Sequence, residues 1–263
     1  METLKLNLEK ICNIVRTILL ISITMINFSL NAQTADTIEK NGREFKNTIH
    51  FNLTNPIIFG DRSLVFGYER VLSKNRSFSV NVGQASLPDL NIINTDELQM
   101  ETIRSEKGLH ISVDYRFYLS KENKYNAPRG IYIGPFYSYN YFNKEHTWSL
   151  ATSGYDGKVN SDLDFTINTI GAELGYQFIL WKRLAIDLIL IGPGVASYKL
   201  EATLDTNLSD EDKELFFDKL NEALQEKFPG YSGVIDEGEF KKRGSTRTTN
   251  FGFRYMVQVG YRF

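Results

Sequence analysis

The sequence predicts an all-β protein, an eight-stranded antiparallel up-and-down transmembrane β-barrel with an amphipathic helix in its last long external loop. Three observations carry that prediction. The chain ends on a strand whose apolar residues fall at every second position, Phe251, Phe253, Tyr255, Val257, Val259, Tyr261 and Phe263, against Gly252, Arg254, Met256, Gln258, Gly260 and Arg262. An apolar face opposite a polar one, over about ten residues, suits a wall between lipid and a wet lumen. Second, the connections alternate between short and long, as they must when strands run up and down with tight turns at one end. Third, aromatic residues gather where the segments end.

Eight segments alternate in this way, at approximately 47–54, 63–72, 76–84, 108–120, 130–143, 165–180, 183–199 and 249–263. The third sets Phe78, Val80 and Val82 against Ser79, Asn81 and Gly83. In the fourth, Leu109, Ile111, Val113, Tyr115, Phe117 and Leu119 oppose His110, Ser112, Asp114, Arg116 and Tyr118. The sixth places Ile170, Ala172, Leu174, Tyr176 and Phe178 opposite Gly171, Glu173, Gly175 and Gln177. Phe165 and Ile167 fall out of phase with that face, which predicts a bulge or a strand end there. Pro135 and Pro193 each remove a ladder hydrogen bond, so bulges are expected at Gly134-Pro135 and Gly192-Pro193-Gly194.

The turns at 73–76, 121–129 and 181–182 are short, whereas 85–107, 144–164 and 200–248 are long and 54–62 is brief. An even strand count puts both termini on the periplasmic side. Tyr68, Phe117, Phe178, Trp181, Tyr261 and Phe263 then mark the periplasmic rim, and Tyr139, Tyr141 and Phe251 the outer one.

The N-terminus reads as a secretory signal over residues 1–33. Lys5, Lys10 and Arg16 precede an apolar core at 17–30, and Asn31-Ala-Gln33 offers a cleavage site after Ala32 or Gln33. Residues 34–46 are then a periplasmic N-terminal segment, and 47–263 the barrel. The apolar core is too short, and too diluted by Ser22, Thr24 and Asn27, for a spanning helix. The one cysteine, Cys12, lies inside the signal, which removes thiol chemistry and disulfides from the mature chain. A net charge of −2 gives no electrostatic case for nucleic acid.

The inward faces gather a charge network of Glu69, Asp114, Arg116, Glu173, Asp187, Arg254 and Arg262, beside His50 and His110. An eight-stranded barrel is about wide enough for side chains to fill, so a filled polar lumen is expected rather than a pore. His110-Ile-Ser112 shares one inward face, and His146 stands beside Thr147 and Ser149. A nucleophilic site needs serine, histidine and an orienting group together. Spacing alone does not supply that, so His110 reads as a structural hydrogen-bonding residue and His146 as a solvated loop residue. The oxygen-rich run 156–164 lacks calcium-loop spacing, and no helix follows Gly192-Pro-Gly194 to make a phosphate loop. No catalytic residue, metal or cofactor is expected.

Within 200–248, Ser209 and Asp212 form a capping-box-like start, and Pro229-Gly230 a stop. Phe217, Leu220, Leu224 and Phe228 follow helical spacing between them, widened by Phe216 and Ala223. This interaction helix, 209–228, either packs on the barrel mouth or meets a partner.

The signal ending Asn31-Ala-Gln33, Arg129-Gly-Ile-Tyr-Ile-Gly-Pro-Phe136, Leu174-Gly-Tyr-Gln-Phe178 and Val259-Gly-Tyr-Arg-Phe263 resemble the small outer-membrane barrels of Bacteroidota-type bacteria, a family of unknown function. The resemblance implies an outer-membrane location in contact with its lipid. It also implies assembly by the barrel insertion machinery, which reads a C-terminal aromatic signal matched here by Tyr261 and Phe263. It brings no catalytic residues. A structural or surface-interaction role follows, with an external protein or glycan as the class of ligand. A lipid-modifying hydrolase or acyltransferase and a narrow passive pore are the alternatives.

Overall fold

A computed structural model describes residues 45–59, 62–86, 98–151, 156–204, 208–227 and 244–263. The signal 1–33, Cys12 and most of the segment 34–46 lie outside the described residues, as does Phe228. Eight antiparallel strands close a barrel in chain order: β1 (Asn47–Asn52), β2 (Val65–Ser73), β3 (Arg76–Gly83), β4 (Leu98–Tyr118), β5 (Gly130–Ala151), β6 (Asp156–Leu180), β7 (Leu184–Leu204) and β8 (Ser245–Arg262). A short helix α1 (Thr54–Phe59) follows β1, and α2 (Asp210–Lys227) precedes β8. Paired residues traced from His50 run through Gly67, Asn81, Ser112, Ser138, Thr169 and Ala196 to Asn250, ten residues short of Gly260, the direct partner of His50. That stagger tilts the strands and narrows the ring until side chains fill it.

The strands differ greatly in length, and this is where the sequence reading falls short. β1 to β3 stop near the rim that was expected, while β4 to β8 run on together past it. Their lower parts form a lipid-facing tier, with Ile133, Tyr137, Ile170, Val195, Phe251, Phe253 and Tyr255 exposed. Above it the polarity of the wall inverts. On β5 the outward positions become Asn143, Glu145, Thr147 and Ser149, and on β6 Lys158, Asn160, Asp162 and Asp164. The inward positions become Trp148, Leu150, Val159, Leu163, Leu200 and Ala202, all buried.

Phe165 and Ile167 therefore need no bulge. The β5–β6 and β6–β7 registers run unbroken through them, and both residues face inward because the upper tier keeps its apolar side inside. The stretch 156–164 is strand rather than loop, and Asp162 and Asp164 sit on the wet outer face, each accepting from Asn143 Nδ2, at 2.5 and 3.1 Å.

Helix α2 covers the apolar inside of this upper tier, which we call the head. Ser209 caps it, its Oγ accepting from the Asp212 N–H at 3.1 Å. Phe216 and Leu220 are fully buried and Phe217 nearly so, in one cluster with Trp148, Leu150, Val159, Leu163, Leu200, Ala202 and Leu208. Phe216 meets the Trp148 indole edge-on at 5.9 Å. The helix is thus a lid packed on the fold. Leu224 belongs to it by position, but its side chain lies outside the described residues.

Of the two expected bulges, one appears. The pairing of β7 slips by one residue against both neighbours around Ile189 to Gly192, just before Pro193. At Pro135 the register with β6 is continuous. The accommodation there is a close backbone approach instead, since a Cβ on Gly134 would stand 1.9 Å from the Tyr115 carbonyl oxygen.

Candidate functional site

The lower lumen is an ionic plug centred on Arg116, which β4 aims inward by its parity with Asp114 and Tyr118. Arg116 Nε donates to Asp114 Oδ1 at 2.7 Å, and its Nη1 lies 2.9 Å from Asp187 Oδ2 and 3.6 Å from Glu69 Oε1. The guanidinium also stacks on the Tyr132 ring at 4.6 Å. Glu69 accepts from Ser77 at 2.6 Å, Tyr118 at 3.0 Å and Gln177 at 2.9 Å, with His50 Nε2 at 3.3 Å. Tyr132 donates to Asp187 at 2.8 Å. Arg116, Glu69, Asp187, His50 and Gln177 have no exposed surface. A buried charge persists only when opposed and hydrogen-bonded, and here one cation faces several acids while serine, tyrosine and glutamine donate to Glu69 and tyrosine to Asp187.

Higher up, Arg254 from β8 reaches Glu173 on β6 at 3.1 Å and lies over the Phe136 ring at 5.0 Å. The structure thus brings together six of the seven expected lumen charges. Arg262 is the exception. It stands at the turn end and donates to the backbone carbonyls of Phe45 at 2.8 Å and Lys182 at 3.3 Å, tying the N-terminal approach to the β6–β7 turn. It lies too near the strand end to join the plug. The neutral members Gln177, Tyr118, Tyr132, Asn81 and Gln258 were readable only as inward parity. Gln258 donates to Asn81 at 2.8 Å, and nothing in the sequence marks that pair.

The two histidines singled out in the sequence have different fates. His110 is hydrogen-bonded, to Asn140 at 2.7 Å and to Ser112 at 3.2 Å. His146 is not a solvated loop residue, because β5 continues to Ala151 and places it on the inward face, fully buried. Its ring lies 5.4 Å from Trp148, and neither ring nitrogen has a hydrogen-bond partner. Burial first, and then the neighbouring Lys144 cation, hold its pKa down to about 4. Asn221, on the buried side of α2, also leaves both amide atoms unpartnered. The seat of the lid is therefore apolar with costly polar exceptions.

No family model matches this sequence, and no curated protein does either. Two solved structures are similar to it in outline. CarO2 of Acinetobacter baumannii is 9% identical with a TM-score of 0.35, over 83% of this chain and 96% of that one. A major outer membrane protein from Thermus thermophilus is 10% identical with a TM-score of 0.33, over 83% of this chain and 98% of that one. At scores this low the architecture rests on the strand pairing of the chain itself.

Proposed function

We propose that the chain is an outer-membrane barrel that is held shut and presents its folded head outside the cell as a surface for interaction. The observation that carries the reading is the inversion of polarity along the barrel wall. A lower tier with exposed Ile133, Ile170, Phe251, Phe253 and Tyr255 suits lipid, and an upper tier with Lys158, Asp162 and Arg247 outward suits water. Two separate closures argue against passage of solutes, the Arg116 plug below and the Trp148–Phe216 packing above. The long strands β4 to β8 and helix α2 amount to a folded body far larger than a barrel needs merely to cross a membrane.

In this reading residues 1–33 direct export, Tyr261 and Phe263 serve the insertion machinery, and the partner of the head is an external protein or glycan. The organism is of Bacteroidota type, as the sequence resemblance implies. The deciding experiment joins two measurements. Protease added to intact cells should cut within 205–243 without permeabilisation, and the purified barrel should show no conductance above background in planar bilayers. Cleavage only after permeabilisation, or discrete channel openings, would refute the reading.

A further inference from the structure

Beside the plug, the lumen holds one chain of hydrogen bonds that does more than neutralise charge. His110 and Ser112 are two residues apart on β4 and so share its inward face, and Asn140 on β5 is the direct cross-strand partner of His110. His110 Nδ1 lies 2.7 Å from Asn140 Oδ1. An amide oxygen only accepts, so the ring proton sits on Nδ1 and Nε2 carries a free lone pair. That lone pair faces Ser112 Oγ at 3.2 Å. A hydroxyl, a base within reach and an amide that fixes the tautomer of the base are the parts of an activated nucleophile.

Two donors converge on the same oxygen. Asn81 Nδ2 lies 3.3 Å and Arg254 Nη2 3.5 Å from Ser112 Oγ. Arg254 is itself held in place by Glu173 and the Phe136 ring. Charge that develops on the substrate oxygen, two bonds beyond Oγ, is then faced by the Arg254 guanidinium, which is what stabilises an oxyanion.

The position also favours access. His110 pairs with Gly83, the last residue of β3, and Gly83 pairs with Val65, the first of β2, so the site lies level with the ends of these two strands, where Gln84 bonds Leu64 and Ala85 packs beside Gly108. His110, Ser138, Thr169 and Arg254 keep 7–8% exposure, whereas Arg116 below and Trp148 above have none. Leu64, Val82, Leu109 and Ile111 are exposed on the outer face of the same rim, an apolar approach suited to an acyl chain.

We propose that Ser112, His110 and Asn140 form an acyl-ester hydrolysing site at the rim of the lumen. The proposal goes beyond the surface role, does not depend on it, and departs from the expectation of no catalysis. Ester binding displaces Asn81 from Oγ and opens the serine, which is covered in the closed arrangement. Ser112 Oγ bonds to the carbonyl carbon while His110 Nε2 takes its proton, and Arg254 faces the oxyanion. The ester C–O bond then breaks, and His110 returns the proton to the departing alkoxide. Water attacks the acyl-serine with His110 as base, so ester and water give carboxylic acid and alcohol. Asn140 is a positioning residue throughout.

The test uses the mature chain refolded in detergent, its folding checked by heat-dependent gel mobility. A fluorophosphonate probe should add one adduct to the peptide containing Ser112, and Ser112→Ala should abolish it. His110→Phe should do the same, and Asn140→Ala should slow labelling roughly tenfold or more. Asn140→Asp should keep labelling but move the acid limb of its pH profile upward, because a carboxylate stabilises the imidazolium, a shift that a merely structural residue would not cause. A soluble butyrate ester and phospholipid vesicles assayed for lysolipid separate the two sources of ester, and turnover of either supports the site. A folded, unlabelled wild type that turns over neither ester, or an adduct that survives Ser112→Ala, overturns it. Surface proteolysis and conductance would be untouched by that failure.

Discussion

Arg116 shows how one residue closes the lower lumen. Its guanidinium faces Asp114, Asp187, Glu69 and Glu173, none of which can reach water. Arg116→Met leaves those acids buried without their main cation, so the barrel should lose about 3–5 kcal/mol, read by urea unfolding in detergent. The β6–β7 turn stores a smaller cost. Trp181 and Lys182 take φ values of +47° and +66°, where side chains crowd the backbone, because they are the two central residues of the turn that the Arg183 N–H closes on the Leu180 carbonyl. Lys182→Gly should therefore stabilise by about 1 kcal/mol in the same assay. Trp181 is 84% exposed beside Tyr261 and Phe263, as a ring at a lipid–water boundary would be.

At the scale of elements, helix α2 and the upper strands depend on one another. The helix has its cap, but a segment of this length is marginal in water without a surface to receive it. Phe216→Ala should cost the head about 3–5 kcal/mol, with faster proteolysis of 205–243 while the heat-resistant barrel band remains. The head should also respond to pH. His146 is held neutral in the closed seat down to about 4, against about 6.5 when freed. Its contribution is full above about pH 6.5 and is lost progressively as pH falls toward 4. Proteolysis should accelerate across that window, and His146→Leu should flatten the acceleration. Asp162, pushed up by burial and by Asp164, contributes in the opposite sense, so the comparison with His146→Leu isolates the histidine.

At the scale of the molecule, what was legible in the sequence followed which solvent each face meets. The lower tier obeys one rule, apolar outward, and parity along the strands recovers both its wall and six members of its charge network. The head obeys the reverse rule. Lys144, His146, Trp148 and Leu150 alternate against Glu145, Thr147 and Ser149, but with lipid taken as the apolar side that pattern has no place and looks like loop. The helix was legible because its spacing is independent of which solvent lies outside. Its deepest residue, Phe216, was not, since periodicity gives a stripe and only the receiving surface decides its centre. The His110–Asn140 bond needed the register of β4 with β5, which alternation alone leaves free.

The reversal of polarity also fixes the height at which the protein rides. If it sank by one turn of the wall, Glu145, Lys158, Asp162 and Asp164 would enter hydrocarbon, at a cost of kilocalories for each charge near the midplane and less toward the surface. If it rose by as much, Ile170, Val195 and Phe251 would be lifted toward the outer headgroups, and Tyr261 and Phe263 would leave theirs for hydrocarbon. The waterline is therefore drawn into the wall itself, level with the change from Tyr139 to Asn143 on β5. A membrane thinned or thickened by a few ångströms must adjust to this barrel rather than the barrel to it.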